Sequence, residues 1–176
     1  MDLLMKQIRI EKLTLNIGAG KDQAVLEKGV QLLKNITGLS PVKTITQKRI
    51  AQWGLRPGLP IGCKITFRRE PAAALVKRLL MAKNNVLSKN NFDNNGNVSF
   101  GIHEYIDIPD AKYDPKIGIM GLQASLTLQR PGFRIKRRKI MKRSLPRDHC
   151  ISQEEAINFM KNNFAIKLEE DIEGGE

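Results

Sequence analysis

The clearest indication of the fold is the segment Lys12-Leu13-Thr14-Leu15-Asn16-Ile17, in which apolar and polar residues alternate along the whole length. Successive side chains of a strand point to opposite faces, so Leu13, Leu15 and Ile17 share one face and the polar residues share the other. Such a strand suits a sheet that buries one face and leaves the other wet, which is typical of antiparallel sheets.

Other segments extend this pattern to a whole domain. Alternation recurs in residues 63–69, 98–102 and 122–128, and residues 41–46 form a weaker strand pattern. The predicted helices cover residues 22–37, residues 71–83 and a C-terminal segment that opens at the capping box Ser152-Gln153-Glu154-Glu155. We therefore predict an α+β fold: a mainly antiparallel sheet, helices on one face, an open polar face and a long hairpin loop.

The polar face of this predicted sheet has an unusual composition. It holds three cations, no acid and otherwise neutral hydrogen-bonding groups, whereas a solvated face usually mixes acids with bases. Phosphates, 2′-hydroxyls and base edges are groups that such a face can bind, although an ordinary wet sheet remains the alternative. The predicted face consists of Lys12, Thr14, Asn16, Lys64, Thr66, Arg68, Gln123, Ser125 and Thr127.

Basic and acidic residues occupy separate segments of the C-terminal third of the chain. The formal net charge of the 176 residues is +12, yet residues 168–176 carry five acids and no base, and we predict a disordered tail there. Residues 130–147 carry nine bases and no acid, which indicates a polyanionic partner. We predict one domain, with a core at 7–130, a basic segment and helix at 131–167, and the acidic tail at 168–176.

The conformation expected for residues 130–147 helps to distinguish a nucleic acid from a membrane surface as the binding partner. Binding to an anionic membrane needs a basic amphipathic helix. Pro131, Gly132 and Pro146 interrupt the run and favour a loop or short hairpin. Nucleic acid is therefore the preferred partner, and we predict no membrane association.

Residues 52–62 form a second unusual segment, with three glycines, two prolines and the only tryptophan of the chain. This composition excludes a helix and predicts a mobile hairpin tip between two strands. Trp53 and Arg56 are suited to stack on exposed bases or sugars there. The alternative is that Trp53 folds back onto the sheet as part of the core.

Enzymatic chemistry has little support. The two histidines and two cysteines form no metal-ligand spacing, and Gly18-Ala19-Gly20-Lys21 lacks the Ser or Thr of a phosphate-binding loop. We predict no catalytic residues, no metal and no cofactor. The N-terminus resembles no secretory signal, no apolar run is long enough to span a membrane, and two cysteines fit a reducing compartment, so we expect a cytoplasmic location.

Four stretches carry a resemblance to a known family. They are residues 9–20 (RIEKLTLNIGAG), 54–66 (GLRPGLPIGCKIT), 91–101 (NFDNNGNVSFG) and 113–122 (YDPKIGIMGL). In this order they resemble the universal large-subunit ribosomal protein of the L-five family. The basic segment and the helix after it resemble the archaeal and eukaryotic branch.

The resemblance implies a ribosomal, non-enzymatic role at the central protuberance. Family members bind 5S rRNA, dock it on large-subunit rRNA and reach P-site tRNA with a hairpin loop. They also meet a small-subunit protein of the S-thirteen family across an intersubunit bridge, and a neighbouring 5S rRNA-binding protein of the L-eighteen family. Lys12, Asn16 and Thr66 match family positions for 5S rRNA and lie on the face derived from alternation. Leu39 departs from the family, where many members have a Gln that hydrogen-bonds RNA.

The predicted contact residues form three groups. For 5S rRNA they are Lys12, Thr14, Asn16, Lys48, Arg49, Lys64, Thr66 and Arg68, of which Lys48 and Arg49 rest on position and charge alone. The tRNA-proximal loop comprises Gln52, Trp53, Gly54, Leu55, Arg56, Pro57 and Gly58. Other rRNA contacts are Arg134, Lys136, Arg137, Arg138, Lys139, Lys142 and Arg143. The remaining alternatives are a stand-alone RNA chaperone that binds many RNAs alike and a small enzyme.

Overall fold

Within residues 2–170, which the computed structural model describes, the chain forms α-helices and strands joined by short 3₁₀ turns. The elements are α1 (Asp2–Lys6), β1 (Arg9–Gly18), α2 (Gln23–Thr37), β2 (Val42–Ile45), β3 (Pro60–Phe67), α3 (Glu70–Met81), β4 (Val86–Leu87), β5 (Asn97–Ile102), β6 (Leu122–Gln129), α4 (Gln153–Phe164) and β7 (Lys167–Leu168).

The main sheet confirms the predicted α+β fold. Its five strands lie in the order β2-β3-β1-β6-β5, and every neighbouring pair is antiparallel. β1 therefore occupies the centre, with Asn16 opposite Lys64 on one side and opposite Gln123 on the other. Leu13, Leu15 and Ile17 are buried, as their alternation predicts.

Helices α2 and α3 cover the apolar face of the sheet. α2 packs on β3 and β1 so closely that a Cβ atom on Gly29 would lie 3.2 Å from Ile17 Cγ2 and 3.3 Å from Cys63 Sγ. This burial raises the pKa of the Cys63 thiol. Asp22 caps the start of α2 by accepting a hydrogen bond from the Ala24 amide, and Gly38 ends it in the left-handed conformation.

The boundaries of one strand differ from the prediction. Alternation placed the strand at residues 63–69, but β3 begins at Pro60 and ends at Phe67. Proline is tolerated as the first residue of a strand, so the predicted loop is shorter by residues 60–62. The strand stops because Arg69 turns the chain into α3 with φ 61° and ψ −144°.

The C-terminal part of the described chain is tied to the body of the domain. The capping box at Ser152 opens α4, as predicted, and β7 then pairs in parallel with β4. Leu168 is buried in this pair, so the acidic tail begins later than predicted. Residues 171–176, which hold the rest of the predicted disordered tail, lie outside the described residues.

Candidate nucleic-acid interface

The open face of the sheet carries polar residues in three rows that run across the strands. These residues are exposed or half-buried, because α2 and α3 lie on the other side of the sheet. The first row is Lys64-Asn16-Gln123-Gly101, the second is Thr66-Thr14-Ser125-Ser99 and the third is Lys12-Thr127-Asn97. The structure thus brings together the residues that alternation assigned to this face except Arg68, which follows the end of β3.

Neighbouring strands touch through weak polar contacts on this face. The hydroxyl oxygens of Thr14 and Thr66 lie 3.4 Å apart, and Asn16 Nδ2 donates to Gln123 Oε1 at 3.5 Å. Ser99 donates to Ser125 at 3.1 Å. Such long, exposed contacts leave the hydroxyl and amide groups able to exchange partners, which suits a surface that binds a hydroxyl-rich ligand.

The β5 side of the face was not predicted. Asn97, Ser99 and Gly101 belong to it, since they alternate with the inward residues Val98, Phe100 and Ile102 of the predicted strand. Asn97 donates to Asp93 at 3.0 Å, and this hydrogen bond contributes most to the lowered pKa of that carboxyl. An acid therefore stands at one margin of the face.

A second acid corrects the prediction that the face has none. The β1–β6 register shifts between Ile10 and Lys12, and this bulge lets Glu11 reach residues at the end of the open face. Arg68 Nη1 and Arg137 Nη1 both donate to Glu11 Oε1, the former at 3.5 Å. Part of the charge of Arg68 is therefore balanced within the protein.

Besides Arg68, two predicted 5S rRNA residues lie away from the rows. Lys48 and Arg49 are exposed in the connection between β2 and β3, so their place is with the hairpin loop and not with the sheet face. Leu39 follows the end of α2 and is also exposed. The strand order explains this placement, because β2 is an edge strand and the chain leaves the sheet after Ile45.

The hairpin loop has a hydrogen-bonded framework of its own. The backbones of Ile50 and Leu55 pair with each other, and Thr46 pairs with residues 58 and 59. Trp53 is 66% exposed, which excludes the alternative that it is a core anchor. Leu55 is buried, so its side chain supports the loop. The remaining predicted loop residues, Gln52, Gly54, Arg56, Pro57 and Gly58, are exposed.

The basic segment is a loop with a 3₁₀ turn at Phe133–Lys136, in agreement with the predicted absence of a long helix. Arg130 differs from the other bases, because it is buried and bonded to Glu155. Of the predicted contact residues, Arg137 binds Glu11 and Arg138 donates to the Met141 carbonyl oxygen. Those that remain exposed are Arg134, Lys136, Lys139, Lys142 and Arg143.

Other kinds of site find no support among residues 2–170. No group of three or more His, Cys, Asp or Glu side chains is placed to hold a metal ion there. The helices in the same range are too short or too polar to cross a bilayer.

The exposed polar face and the surplus of basic residues are typical of a nucleic-acid-binding protein. Comparison with known proteins agrees. A family model described as "Ribosomal protein L5" matches residues 4–56, and the model for the C-terminus of the same ribosomal family matches residues 60–159. The chain belongs to the ribosomal protein L5 family.

Archaeal relatives extend over nearly the whole chain. The large ribosomal subunit protein uL5 of Sulfolobus acidocaldarius is 47% identical over 94% of this chain and 93% of its own length. Its counterpart in Nanoarchaeum equitans is 44% identical, over 96% and 99%. These matches confirm the predicted family, its archaeal type, and a non-enzymatic protein of the cytoplasmic ribosome.

Proposed function

We propose that this chain is a structural constituent of the large ribosomal subunit that binds 5S rRNA on its open sheet face and docks it on large-subunit rRNA at the central protuberance. The observation that carries the proposal is the set of three polar rows, whose side chains remain exposed or half-buried. An A-form RNA helix offers a wide, shallow minor groove lined with 2′-hydroxyls. A flat array of Ser, Thr, Asn and Gln groups suits that groove.

Charge complements these neutral groups. Lys64 lies in the first row and Lys12 in the third, at positions that let them approach phosphates on both sides of a groove. Gly18 and Gly101 add open backbone, because a Cβ atom at either residue would meet nothing within 4 Å. RNA backbone can therefore approach this part of the sheet closely.

Other surfaces take the remaining roles in the proposal. The hairpin loop contacts P-site tRNA, and the exposed bases of the basic segment contact large-subunit rRNA. An intersubunit bridge to a protein of the S-thirteen family, and contact with a protein of the L-eighteen family, follow from the family resemblance. The exposed Trp53 and Arg56 support the tRNA contact, since an indole and a guanidinium both stack on nucleotides.

Asn16→Ala and Thr66→Ala are expected to weaken 5S rRNA binding by roughly five- to a hundredfold, because RNA groups that lose water in the complex then lack a partner. The free energy of unfolding should change by only about 0.5 kcal/mol, since both side chains lie outside the core. Fluorescence anisotropy with labelled 5S rRNA and thermal melts measure the two effects.

Asn35→Ala is the matched control, because it removes an exposed amide from α2 on the opposite side of the sheet. Asn35→Ala should change neither the affinity for 5S rRNA nor the free energy of unfolding. Unchanged 5S rRNA affinity in Asn16→Ala and Thr66→Ala would contradict the assigned face. Equal affinity of the wild-type chain for 5S rRNA and for an unrelated folded RNA of the same length would indicate a general RNA chaperone instead.

The double change Trp53→Ala with Arg56→Ala should leave 5S rRNA affinity unaltered and speed the release of P-site tRNA from reconstituted ribosomes. Stacking of one base on an aromatic side chain contributes about 1–3 kcal/mol, and other ribosomal elements that hold the tRNA reduce the net effect. Tight 5S rRNA binding with unchanged tRNA release would refute the role of the loop. Loss of 5S rRNA binding in the folded variant would show that the loop belongs to the 5S interface.

A further inference from the structure

A cationic cleft lies at the end of the sheet where β1 begins and β3 ends. Its volume is about 720 Å³, within the range of roughly 300–1,000 Å³ typical of ligand sites. Four arginines and two glutamates line it, which leaves a formal charge of +2 on its walls. The residues that matter most are Glu11, Arg68, Arg69, Arg137, Phe159 and Asn163.

Glu11 holds two of these arginines side by side. Its side chain is 6% exposed and accepts hydrogen bonds from Arg68 and Arg137, whose side chains remain 57% and 43% exposed. A single carboxylate neutralises only one of the two guanidinium charges. Each guanidinium has five N–H donors, and the contacts with Glu11 and Gln129 use one donor of Arg68 and two of Arg137. The pair therefore keeps donors and positive charge for an oxyanion.

Arg69 adds a strained backbone at the same cleft. Its φ of 61° and ψ of −144° lie close to a region that is almost reserved for glycine. An arginine in this conformation costs folding free energy, and strained residues of this kind cluster at binding sites. Arg69 is also the N-cap of α3 and forms no side-chain capping bond, so it does not serve the helix in that way.

Apolar side chains also line the cleft. They include Ile8 and the half-buried Phe159, and Asn163 lines it as well. Arginines and an aromatic ring in the same cleft match the two parts of a nucleotide, its phosphate and its base. The cleft differs from the open sheet face, which has no aromatic side chain in its three rows.

We propose that this cleft binds one unpaired nucleotide of ribosomal RNA, with its phosphate on Arg68, Arg69 and Arg137 and its base against Phe159. The identity of the ligand as ribosomal RNA rests on the proposed function. The cleft lies beyond the three rows, at the end of the open face, and it shares Arg68 with the residues predicted to bind 5S rRNA.

The test measures binding of a labelled single-stranded RNA tetranucleotide to the full chain, beside an abasic tetranucleotide, inorganic phosphate and 5S rRNA. Arg69→Gly is expected to raise the melting temperature, because glycine relieves the backbone strain, and to weaken tetranucleotide binding about tenfold, because it removes a charge-assisted contact. Arg69→Ala should weaken binding equally without the gain in stability. Lys77→Ala, which removes an exposed charge from α3 outside the cleft, should bind like the wild type.

The base is tested by Phe159→Leu, which keeps apolar packing. It should weaken tetranucleotide binding about tenfold and leave binding of the abasic tetranucleotide unchanged. Equal affinity for the two oligonucleotides, or displacement of both by equimolar inorganic phosphate, would show an anion site without nucleotide recognition and overturn the proposal. Equal weakening in Arg69→Gly and Lys77→Ala would show general charge attraction and also overturn it. If 5S rRNA still binds in those cases, the proposed function of the sheet face stands alone.

Discussion

Replacement of Arg130 by Met is expected to lower the free energy of unfolding by about 3 kcal/mol, although nine basic residues crowd this segment and most are exposed. The side chain of Arg130 is 6% exposed, and it donates to Glu155 at 2.6 Å and to the carbonyl oxygen of Cys150 at 3.1 Å. Methionine has a similar shape but leaves both acceptors without their donor. The connection between β6 and α4 should therefore loosen.

Chemical denaturation monitored by circular dichroism measures this loss. Arg134→Met is the control, because it removes an exposed arginine from the same segment and should cost less than about 0.5 kcal/mol. A double-mutant cycle with Glu155→Gln isolates the pair, since glutamine keeps an acceptor for the capping box of α4. A stability of Arg130→Met equal to that of Arg134→Met would show that the buried ion pair is dispensable.

Gly62→Ala is expected to lower the free energy of unfolding by about 3 kcal/mol, at the upper end of the usual cost of overpacking. A Cβ atom at Gly62 would lie 2.6 Å from the Ile17 carbonyl oxygen and 3.1 Å from Thr44 Oγ1. The first of these contacts is with backbone of the central strand, which cannot move without breaking its pairing. The expected result is a lower midpoint in denaturant and weaker 5S rRNA binding in proportion to the unfolded fraction.

Gly18 provides the matched control for this substitution. It pairs directly with Gly62 across β1 and β3, yet a Cβ atom there would meet nothing within 4 Å. Gly18→Ala should therefore change stability by no more than about 0.5 kcal/mol. Equal destabilisation by the two substitutions would mean that the strand ends need glycine for flexibility and not for space.

Alternation predicted the sheet face well because it is a local property. Each strand residue points to the side that its parity dictates, so the positions of Lys12, Thr14, Asn16, Lys64 and Thr66 follow from sequence alone. Strand order is a property of the tertiary structure. The three rows therefore depend on the positions of β6 and β5 beside β1, which alternation does not predict.

For three residues the sequence pattern does not predict the position or the partner that the structure shows, and in each case the cause is long-range structure. Glu11 lies two residues before the buried Leu13, so alternation places both on the same face of the sheet. A bulge instead redirects Glu11 to Arg68 and to Arg137, 126 residues later in the chain. In the sequence, Arg130 is one of nine bases in a basic run. Its burial against Glu155 depends on the packing of α4, which holds Glu155. No local pattern encodes either partner. The same holds for Lys48, whose separation from the sheet depends on where β2 ends.

The central position of β1 also governs how the protein is made. Asn16 needs Gln123 as a cross-strand neighbour, 107 residues further along the chain. At a synthesis rate of about 5–20 residues per second, this gap corresponds to roughly 5–20 s of translation. Both edges of β1 are unpaired on the nascent chain until β3 has been made, and one edge then stays unpaired for the rest of that interval. A new copy of this ribosomal protein therefore exposes an aggregation-prone strand edge until its last third emerges from an existing ribosome.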